Sequence, residues 1–233
     1  MTETLALIPA WNEATRIGPV VEAARAHLPV LVVDDGSHDE TSAVAEAAGA
    51  TVVSHPRNRG KGAALMTGFT WALERGYEAV ITLDADGQHD PEEIPKFLAA
   101  YEAGAGDLII GRRDFSLAPW PRRWSNPTGD RLLSWALGIP IYDNQNGYRL
   151  YSRPLLEGLD LTTTGFEWEV DVIVQAVCWR PQRSHGMRIG WVEIRTIYDT
   201  GKVSYFHPVK DTARFLGTVW RAWRRRVKIK RET

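Results

Sequence analysis

Short apolar runs alternate with longer helix-like stretches through the first half of the chain. Five runs of three to five residues are almost entirely apolar: 5–8, 30–33, 51–53, 79–83 and 108–110. Runs of this kind are typical of strands that are buried on both faces of a parallel sheet. The stretches between them are rich in Ala, Leu and Glu and predict helices over residues 17–27, 41–48, 62–75 and 91–101, with Asp39 and Asp90 as N-caps.

This alternation predicts an α/β fold in which a single, mostly parallel, twisted sheet is flanked by helices. Ligands of such sheets bind beyond the carboxyl ends of the strands. From Gly111 onward the pattern loosens into sequence rich in Pro, Arg and Trp, followed by helix-like segments near residues 128–137 and 167–179. Since no repeat or linker separates the two parts, we expect two halves of one domain.

The end of the chain has a composition of its own. Residues 221–231 contain seven Lys or Arg and no acidic residue, which leaves a net charge of −8 in the rest of the chain. Apolar side chains recur there at helical spacing: Ala213, Leu216, Val219, Trp220, Trp223 and Val227. We predict a basic amphipathic helix within residues 208–233, whose apolar face either lies at a membrane surface or docks on the body. Because the body is acidic, we expect no nucleic-acid partner.

The remaining composition limits where the protein works. No run approaches the roughly eighteen apolar residues of a membrane-spanning helix, and the apolar run 5–8 is too short for a signal peptide. The single Cys178 cannot form an internal disulfide. We therefore expect a cytoplasmic protein that meets a membrane only at its surface.

Three side chains with hard oxygen ligands follow the fourth apolar run at alternate positions. Asp84, Asp86 and Gln88 can reach one point, and their oxygens suit Mg²⁺ or Mn²⁺. Such a cation stabilises the charge of a departing diphosphate. A surface turn is the alternative, because Asp and Gly also form turns. The six histidines lack the spacing of a zinc site, and we expect His89 to cap or pack rather than to catalyse.

Two further strand ends carry polar groups. The first run leads into Pro9, Trp11 and Glu13, and the second leads into Asp35 and Gly36. A carboxylate at a strand end can accept hydrogen bonds from a ribose or a nucleobase, and glycine lets the backbone approach a ligand. The alternative is that the second segment only caps the following helix.

Lys61 lies between two glycines before the third predicted helix. The segment fails as a P-loop because Gly62 stands at the Ser/Thr position, and as a dinucleotide fingerprint because Leu65 stands at the third glycine position. We expect Lys61 and the helix start to lie beside a nucleotide. A solvated charged loop is the alternative.

Four segments together resemble family 2 glycosyltransferases in order and spacing: 9–13, 32–41, 58–64 and 83–91. Three segments of the second half resemble dolichyl-phosphate mannose synthases and related polyprenyl-phosphate glycosyltransferases: 111–113, 122–126 and 143–149. The resemblance implies a GT-A fold over residues 1–207. It divides this domain into a nucleotide-sugar half, residues 1–110, and an acceptor half, residues 111–207.

The resemblance also implies roles for individual residues. The metal is held at the positions of Asp84, Asp86 and Gln88. The nucleotide falls at Pro9, Trp11, Glu13 and Asp35, beside Lys61 and Asp84. The lipid phosphate falls at Arg112, Arg123 and Ser125, which agrees with the bidentate grip of arginine on phosphate oxygens.

These implications describe an inverting, metal-dependent enzyme that moves a hexose from a nucleotide sugar of the GDP-mannose or UDP-glucose type to a polyprenyl or dolichyl phosphate. An anionic phosphate oxygen needs no general base. A hydroxyl acceptor on a saccharide or small molecule would need one; Asp143 is then the catalytic candidate, unless it only anchors Arg149. A non-catalytic binding module is a further alternative, and a membrane-embedded protein is a candidate partner.

Overall fold

The computed structural model describes residues 3–114, 122–159, 168–178, 187–195, 216–224 and 227, and for residues 122–127 it describes the main chain only. This part of the chain contains one sheet of seven strands in the order β3-β2-β1-β4-β6-β5-β7. The strands are β1 (Thr4–Ala10), β2 (Val30–Asp34), β3 (Thr51–Ser54), β4 (Ala79–Thr82), β5 (Leu108–Arg113), β6 (Arg149–Ser152) and β7 (Ile189–Ile194).

The sheet is mixed, with mostly parallel pairings. Strands β1 to β4 pair in parallel, and so do β5 and β7, whereas β6 is antiparallel to both β4 and β5. The predicted α/β fold with a single, mostly parallel sheet is therefore confirmed, and so are the five predicted strands. Because β6 runs against its neighbours, its first residue lies at the carboxyl end of β4, where a ligand of such a sheet binds.

Helices cover both faces of the sheet. They are α1 (Ile17–Arg25), α2 (Thr41–Ala47), α3 (Lys61–Glu74), α4 (Ile94–Glu102), α5 (Arg122–Leu137), α6 (Arg153–Leu156) and α7 (Trp168–Cys178), with a 3-10 turn at Pro91–Glu93. Asp90 is the N-cap of this turn and accepts a hydrogen bond from the backbone N–H of Glu92, as predicted. The prediction of Asp39 as an N-cap is wrong, because Glu40 holds that position of α2. The Asp39 carboxylate instead bridges two loops, accepting from the N–H groups of Thr41 and Ala14.

Side chains of β1 alternate between two buried clusters, one on each face of the sheet. Leu5 and Leu7 belong to the cluster that also holds residues of α3, α5 and α7. Ala6 and Ile8 belong to the cluster formed with α1, α2 and α4. Burial on both faces explains why the strand sequences are apolar runs rather than alternating ones.

Residues 216–224 form a helix, the tail helix, and only one side of it is buried. Val219 and Ala222 are buried and belong to the cluster that contains α3 and α7. Leu216, Trp220 and Trp223 are exposed by 50%, 56% and 39%. The tail helix therefore docks on the body and also presents an apolar stripe to solvent. Among the described residues, no helix is both long enough and apolar enough to cross a bilayer.

Candidate active site

The carboxyl end of β4 brings a carboxylate and an ammonium group together. Nζ of Lys61, the first residue of α3, lies 2.6 Å from Oδ1 of Asp84 and 3.3 Å from Oε1 of Glu169 on α7. Burial alone raises the pKa of Asp84, but the charge of Lys61, helped by Arg113, lowers that pKa well below its usual range. Asp84 is therefore a carboxylate at neutral pH and a poor proton acceptor.

The three predicted metal ligands lie in one turn after β4. Asp84, Asp86 and Gln88 are all partly exposed, and Oδ1 of Asp86 accepts a hydrogen bond from the backbone N–H of Gln88 at 3.0 Å. Two carboxylates and an amide are a donor set that fits Mg²⁺ or Mn²⁺. Across the described ranges, no group of three His, Cys, Asp or Glu side chains could hold a metal ion.

His89 contacts this turn from its buried side. Its ring is buried, and its Nδ1 accepts a hydrogen bond from the backbone N–H of Asp84 at 3.0 Å. The ring also packs on Tyr148, with the centroids 5.0 Å apart. Burial lowers the pKa of His89, so the ring is neutral at neutral pH. These contacts fit the predicted capping and packing role.

Hydrogen bonds join the loop after β1 to the loop after β2. The N–H of Asn12 donates to Oγ of Ser37, and the N–H of His38 donates to Oδ1 of Asn12, each at 2.8 Å. The N–H of Glu13 donates to Oγ1 of Thr41 at 2.8 Å. The two loops therefore form one continuous rim at the carboxyl edge of the sheet.

The first loop also carries three of the predicted nucleotide-binding residues. Pro9 is the last residue but one of β1 and is partly buried, and Trp11, just after the strand, is 48% exposed. The carboxylate of Glu13 is paired with Nε of Arg16 at 2.8 Å. An aromatic ring as exposed as Trp11 is open to stacking by a planar ligand.

Asp35 anchors the segment that leads into α3. Its buried carboxylate accepts hydrogen bonds from the backbone N–H groups of Arg59 and Gly60, at 2.9 and 2.7 Å. Nδ1 of His55 lies 2.6 Å from Oδ1 of Asp35, and the other ring nitrogen lies 2.9 Å from Oγ1 of Thr67 on α3. Both carboxylate oxygens are engaged, so Asp35 shapes the site by holding a loop, and its contact with a nucleotide stays a prediction.

Asp143 is buried, and its carboxylate is occupied by an ion pair. Arg113 donates to it from Nε at 2.7 Å, from Nη2 at 2.6 Å and from its backbone N–H at 3.0 Å. The side chain of Asp143 is 1% exposed. The prediction of a catalytic Asp143 does not fit these contacts, because a general base must be open to the proton that it accepts. The alternative prediction, that Asp143 anchors Arg149, is incorrect, because the ion-pair partner of Asp143 is Arg113.

Arg149 is buried at the start of β6 and organises the loop over residues 143–148. Its guanidinium donates to three backbone carbonyls at 2.6–2.7 Å, those of Asn144, Asn146 and Glu169. The antiparallel course of β6 brings this loop beside Asp84. A Cβ on Gly147 would lie 3.3 Å from Oδ1 of Asp84 and 2.9 Å from Nζ of Lys61. The loop therefore forms one wall of the site, next to Asp84 and Lys61.

Arg112 lies at the exposed end of β5, where it stacks on an aromatic pair. Its guanidinium lies 4.6 Å from the ring centroid of Tyr142, which is 40% exposed. The Tyr142 ring meets Trp191 of β7 edge to face, with the centroids 5.3 Å apart. Arg123 and Ser125 belong to α5, but their side chains lie outside the described residues.

The sequence reasoning missed two charged residues of the site, Arg113 and Glu169. Glu169 had a visible signal, because it is an acidic residue within the apolar helical run of α7, where only a paired charge is tolerated. Arg113 had none, since its partner Asp143 lies 30 positions away. His55 was equally invisible, because its role depends on contacts with Asp35 and α3.

Residues 6–159 match a protein-family model described as Glycosyl transferase family 2. Polyprenol monophosphomannose synthase of Mycolicibacterium smegmatis is 36% identical over 191 residues, which cover 75% of this chain and 72% of that protein. Undecaprenyl-phosphate mannosyltransferase of Micrococcus luteus is 34% identical over 187 residues, which cover 72% of this chain and 75% of that protein.

A solved structure supports the fold. Glucosyl-3-phosphoglycerate synthase of Mycobacterium tuberculosis, crystallised with Mn²⁺, UDP and glucosyl-3-phosphoglycerate, superposes with a TM-score of 0.71 at 19% identity. The superposition covers 95% of this chain and 80% of that protein. The predicted GT-A fold is confirmed.

Proposed function

The chain belongs to glycosyltransferase family 2 and is a glycosyltransferase, and from this premise we propose that it transfers a hexose from a nucleotide sugar to a polyprenyl or dolichyl phosphate. The donor is of the GDP-mannose or UDP-glucose type, the anomeric carbon is inverted, and the reaction depends on Mg²⁺ or Mn²⁺. The polyprenyl substrates in the names of the two relatives support this acceptor class.

The environment of Asp143 is the observation that favours a phosphate acceptor over a hydroxyl. The carboxylate suggested as a general base is paired with Arg113 through both oxygens, and Asp84 is held ionised by Lys61. Neither is a good proton acceptor. A phosphate acceptor is already anionic, so positioning and charge neutralisation suffice.

On the donor side, we place the nucleotide at the joined loops after β1 and β2, beside Trp11. Asp84, Asp86 and Gln88 would hold the divalent cation, which stabilises charge on the departing diphosphate when bound. Lys61 and the N-terminus of α3 add positive potential on the same side. The rigid connection of the loops through Asp35 keeps these groups in place.

On the acceptor side, we place the lipid phosphate at Arg112, with Arg123 and Ser125 as further contacts. The Arg112 guanidinium lies over the Tyr142 ring, and its planar fork suits a bidentate grip on phosphate. The exposed surface of Tyr142 and Trp191 is apolar and adjoins Arg112. The first isoprene units of the acceptor would lie on this surface.

At the membrane, we propose that the tail helix lies on the cytoplasmic surface with Leu216, Trp220 and Trp223 in the headgroup region. These three side chains are exposed, and the Arg224 guanidinium lies 4.7 Å from the Trp220 ring centroid. Tryptophan and arginine together suit the boundary between headgroups and acyl chains. A lipid-linked acceptor is met at that boundary.

The donor and metal assignments are tested together by thermal unfolding with a panel of nucleoside diphosphates, with and without Mn²⁺. The nucleoside diphosphate that raises the midpoint temperature of unfolding most identifies the base of the donor. Asp86→Asn is expected to abolish the metal-dependent part of this stabilisation and to lower transfer by about a hundredfold or more, because the cation contributes several kcal/mol. Glu92→Gln, which removes an exposed carboxylate nearby, is the control. Equal turnover of Asp86→Asn and wild type with Mn²⁺ supplied would show that the metal assignment is wrong.

A further inference from the structure

The ammonium group of Lys61 sits between two carboxylates that come from different elements. Nζ is 2.6 Å from Oδ1 of Asp84, at the end of β4, and 3.3 Å from Oε1 of Glu169, on α7. Glu169 is nearly buried, with 12% of its side chain exposed, whereas 42% of the Lys61 side chain is exposed. The ammonium group is thus held by two carboxylates, while part of the Lys61 side chain remains exposed to solvent.

The space around this group is closed on one side by Gly147. A Cβ on Gly147 would lie 2.9 Å from Nζ of Lys61, and 3.3 and 3.5 Å from the two carboxylate oxygens of Asp84. The absence of a side chain at this position gives the ion pair its room. The exposed part of the Lys61 side chain gives the ammonium group a path away from Asp84 on the solvent side.

Asp84 is also one of the three proposed metal ligands, so two cations compete for it. An ammonium at 2.6 Å from Oδ1 repels a divalent cation on the same carboxylate, and the repulsion weakens if the ammonium moves to an anion of its own. A donor diphosphate provides such an anion at the start of α3, where the helix N-terminus favours it. The flexible four-carbon stem and three N–H donors of lysine permit the exchange.

We propose that Lys61 exchanges partners during donor binding, leaving Asp84 for the donor diphosphate as the divalent cation takes Asp84. Glu169 is a positioning residue that holds the ammonium beside Asp84 before the donor binds, and Lys61 leaves both carboxylates in the exchange. The inference deepens the proposed function and depends on it. It makes Lys61 the coupling element between metal and nucleotide, so that each binds weakly without the other.

The exchange predicts opposite effects of one substitution on two binding constants. Lys61→Gln removes the competitor of the metal, so Mn²⁺ alone should bind about tenfold tighter. The same change removes a diphosphate contact, so the nucleoside diphosphate should bind about tenfold weaker at saturating Mn²⁺. If Lys61 instead remains on Asp84 throughout, Lys61→Gln tightens the binding of both Mn²⁺ and the nucleoside diphosphate, and the proposal is overturned.

Glu169→Gln provides a second test that does not remove the moving group. Lys61 then leaves one carboxylate instead of two, so the nucleoside diphosphate should bind severalfold tighter at saturating Mn²⁺. If Glu169 had only a structural role, Glu169→Gln would weaken the binding of the nucleoside diphosphate or leave it unchanged. Either result would contradict the proposal. The outcome stands even if Lys61→Gln does not fold.

The experiment is calorimetric titration of the full chain with Mn²⁺ alone and with GDP and UDP at saturating Mn²⁺, for wild type, both variants and Arg75→Gln. Arg75 follows the far end of α3 and stacks on Trp71, so its removal controls for the loss of one positive charge and should change neither constant. Metal-dependent nucleotide binding that is missing in wild type counts against the proposed function. If the wild type binds nucleotide in a metal-dependent way, but Lys61→Gln changes the affinities for Mn²⁺ and for the nucleoside diphosphate in the same direction, only the exchange is overturned.

Discussion

Asp84 and Asp143 are both paired with a cation, but only Asp84 keeps access to the site. The Asp84 side chain is 32% exposed and its partner Lys61 is a flexible point charge, whereas Asp143 is 1% exposed and is held by the planar fork of Arg113. A bidentate pair of this kind fixes geometry. The first carboxylate is therefore available for a ligand, and the second holds the 143–148 loop against β5.

Asp143→Asn separates a structural role from a catalytic one. The substitution leaves the Arg113 guanidinium without its bidentate carboxylate, so the free energy of unfolding in urea should fall by about 3–5 kcal/mol. Transfer to a phosphate acceptor, measured per folded molecule, should change less than about tenfold, because no proton is abstracted. Full stability combined with a loss of about a thousandfold or more in transfer would instead identify Asp143 as a base.

At the level of elements, the proposed nucleotide side is built from loops that hold one another. Gly36, after β2, has a φ of 72° and packs against the segment before α3. A Cβ there would lie 2.7 Å from the backbone nitrogen of Asn58. Asp35 binds the same segment through Arg59 and Gly60. The position of Lys61 therefore depends on contacts made by the loop after β2.

Gly36→Ala tests this dependence, and Gly76→Ala is its matched control. Both glycines have a positive φ, 72° and 82°, but a Cβ on Gly76 would have no neighbour within 4 Å. Gly76→Ala should cost only the backbone strain, about 1–2 kcal/mol. Gly36→Ala should cost more and should also weaken nucleoside diphosphate binding about tenfold, because it displaces the loop that precedes Lys61. If the two variants change nucleotide affinity equally, the position of Lys61 does not depend on the loop after β2.

The elements that could be predicted are those whose signal is local. The apolar runs of β1 to β5 and the helices between them follow from periodicity and strand burial. Strand β6 could not be predicted, because it begins with the buried charge of Arg149, which donates to two backbone carbonyls of the preceding loop and to one on α7. In β7, Gly190 and Glu193 interrupt the apolar pattern. Within the site, the alternating oxygen ligands after β4 were visible, whereas the Asp143–Arg113 pair depends on how β6 inserts between β4 and β5.

The tail helix gives a prediction that distinguishes its two sides. Replacing Trp220 and Trp223 with Ser should weaken binding to anionic liposomes by about tenfold or more, because each ring loses apolar contact with the bilayer. Val219→Ala, on the buried side, should lower the free energy of unfolding by about 1–3 kcal/mol and spare liposome binding. Truncation before Val219 is less informative, since it removes part of the core. Liposome flotation that is unchanged by the Trp substitutions would make the tail helix a structural element only.

At the scale of the whole molecule, one sheet carries both halves of the proposed reaction. Strands β1 to β4 position the donor side, and β5, β6 and β7 position the acceptor side. The insertion of β6 beside β4 places the 143–148 loop between them, next to Asp84 and Lys61. The division into a nucleotide-sugar half and an acceptor half is thus proposed as a division of labour within one continuous sheet.

Analysis of the reaction product distinguishes transfer to a lipid phosphate from transfer to a hydroxyl group or to water. The purified chain is incubated with the preferred nucleotide sugar, Mn²⁺ and polyprenyl phosphate in vesicles, and the phosphorus and anomeric signals of the lipid are followed by NMR. We expect the phosphomonoester to become a phosphodiester to the sugar, with an anomeric configuration opposite to that of the donor, only when the divalent cation is present. A sugar found on a hydroxyl acceptor or released to water, with the lipid phosphate still a monoester, would show that the lipid phosphate is not the acceptor.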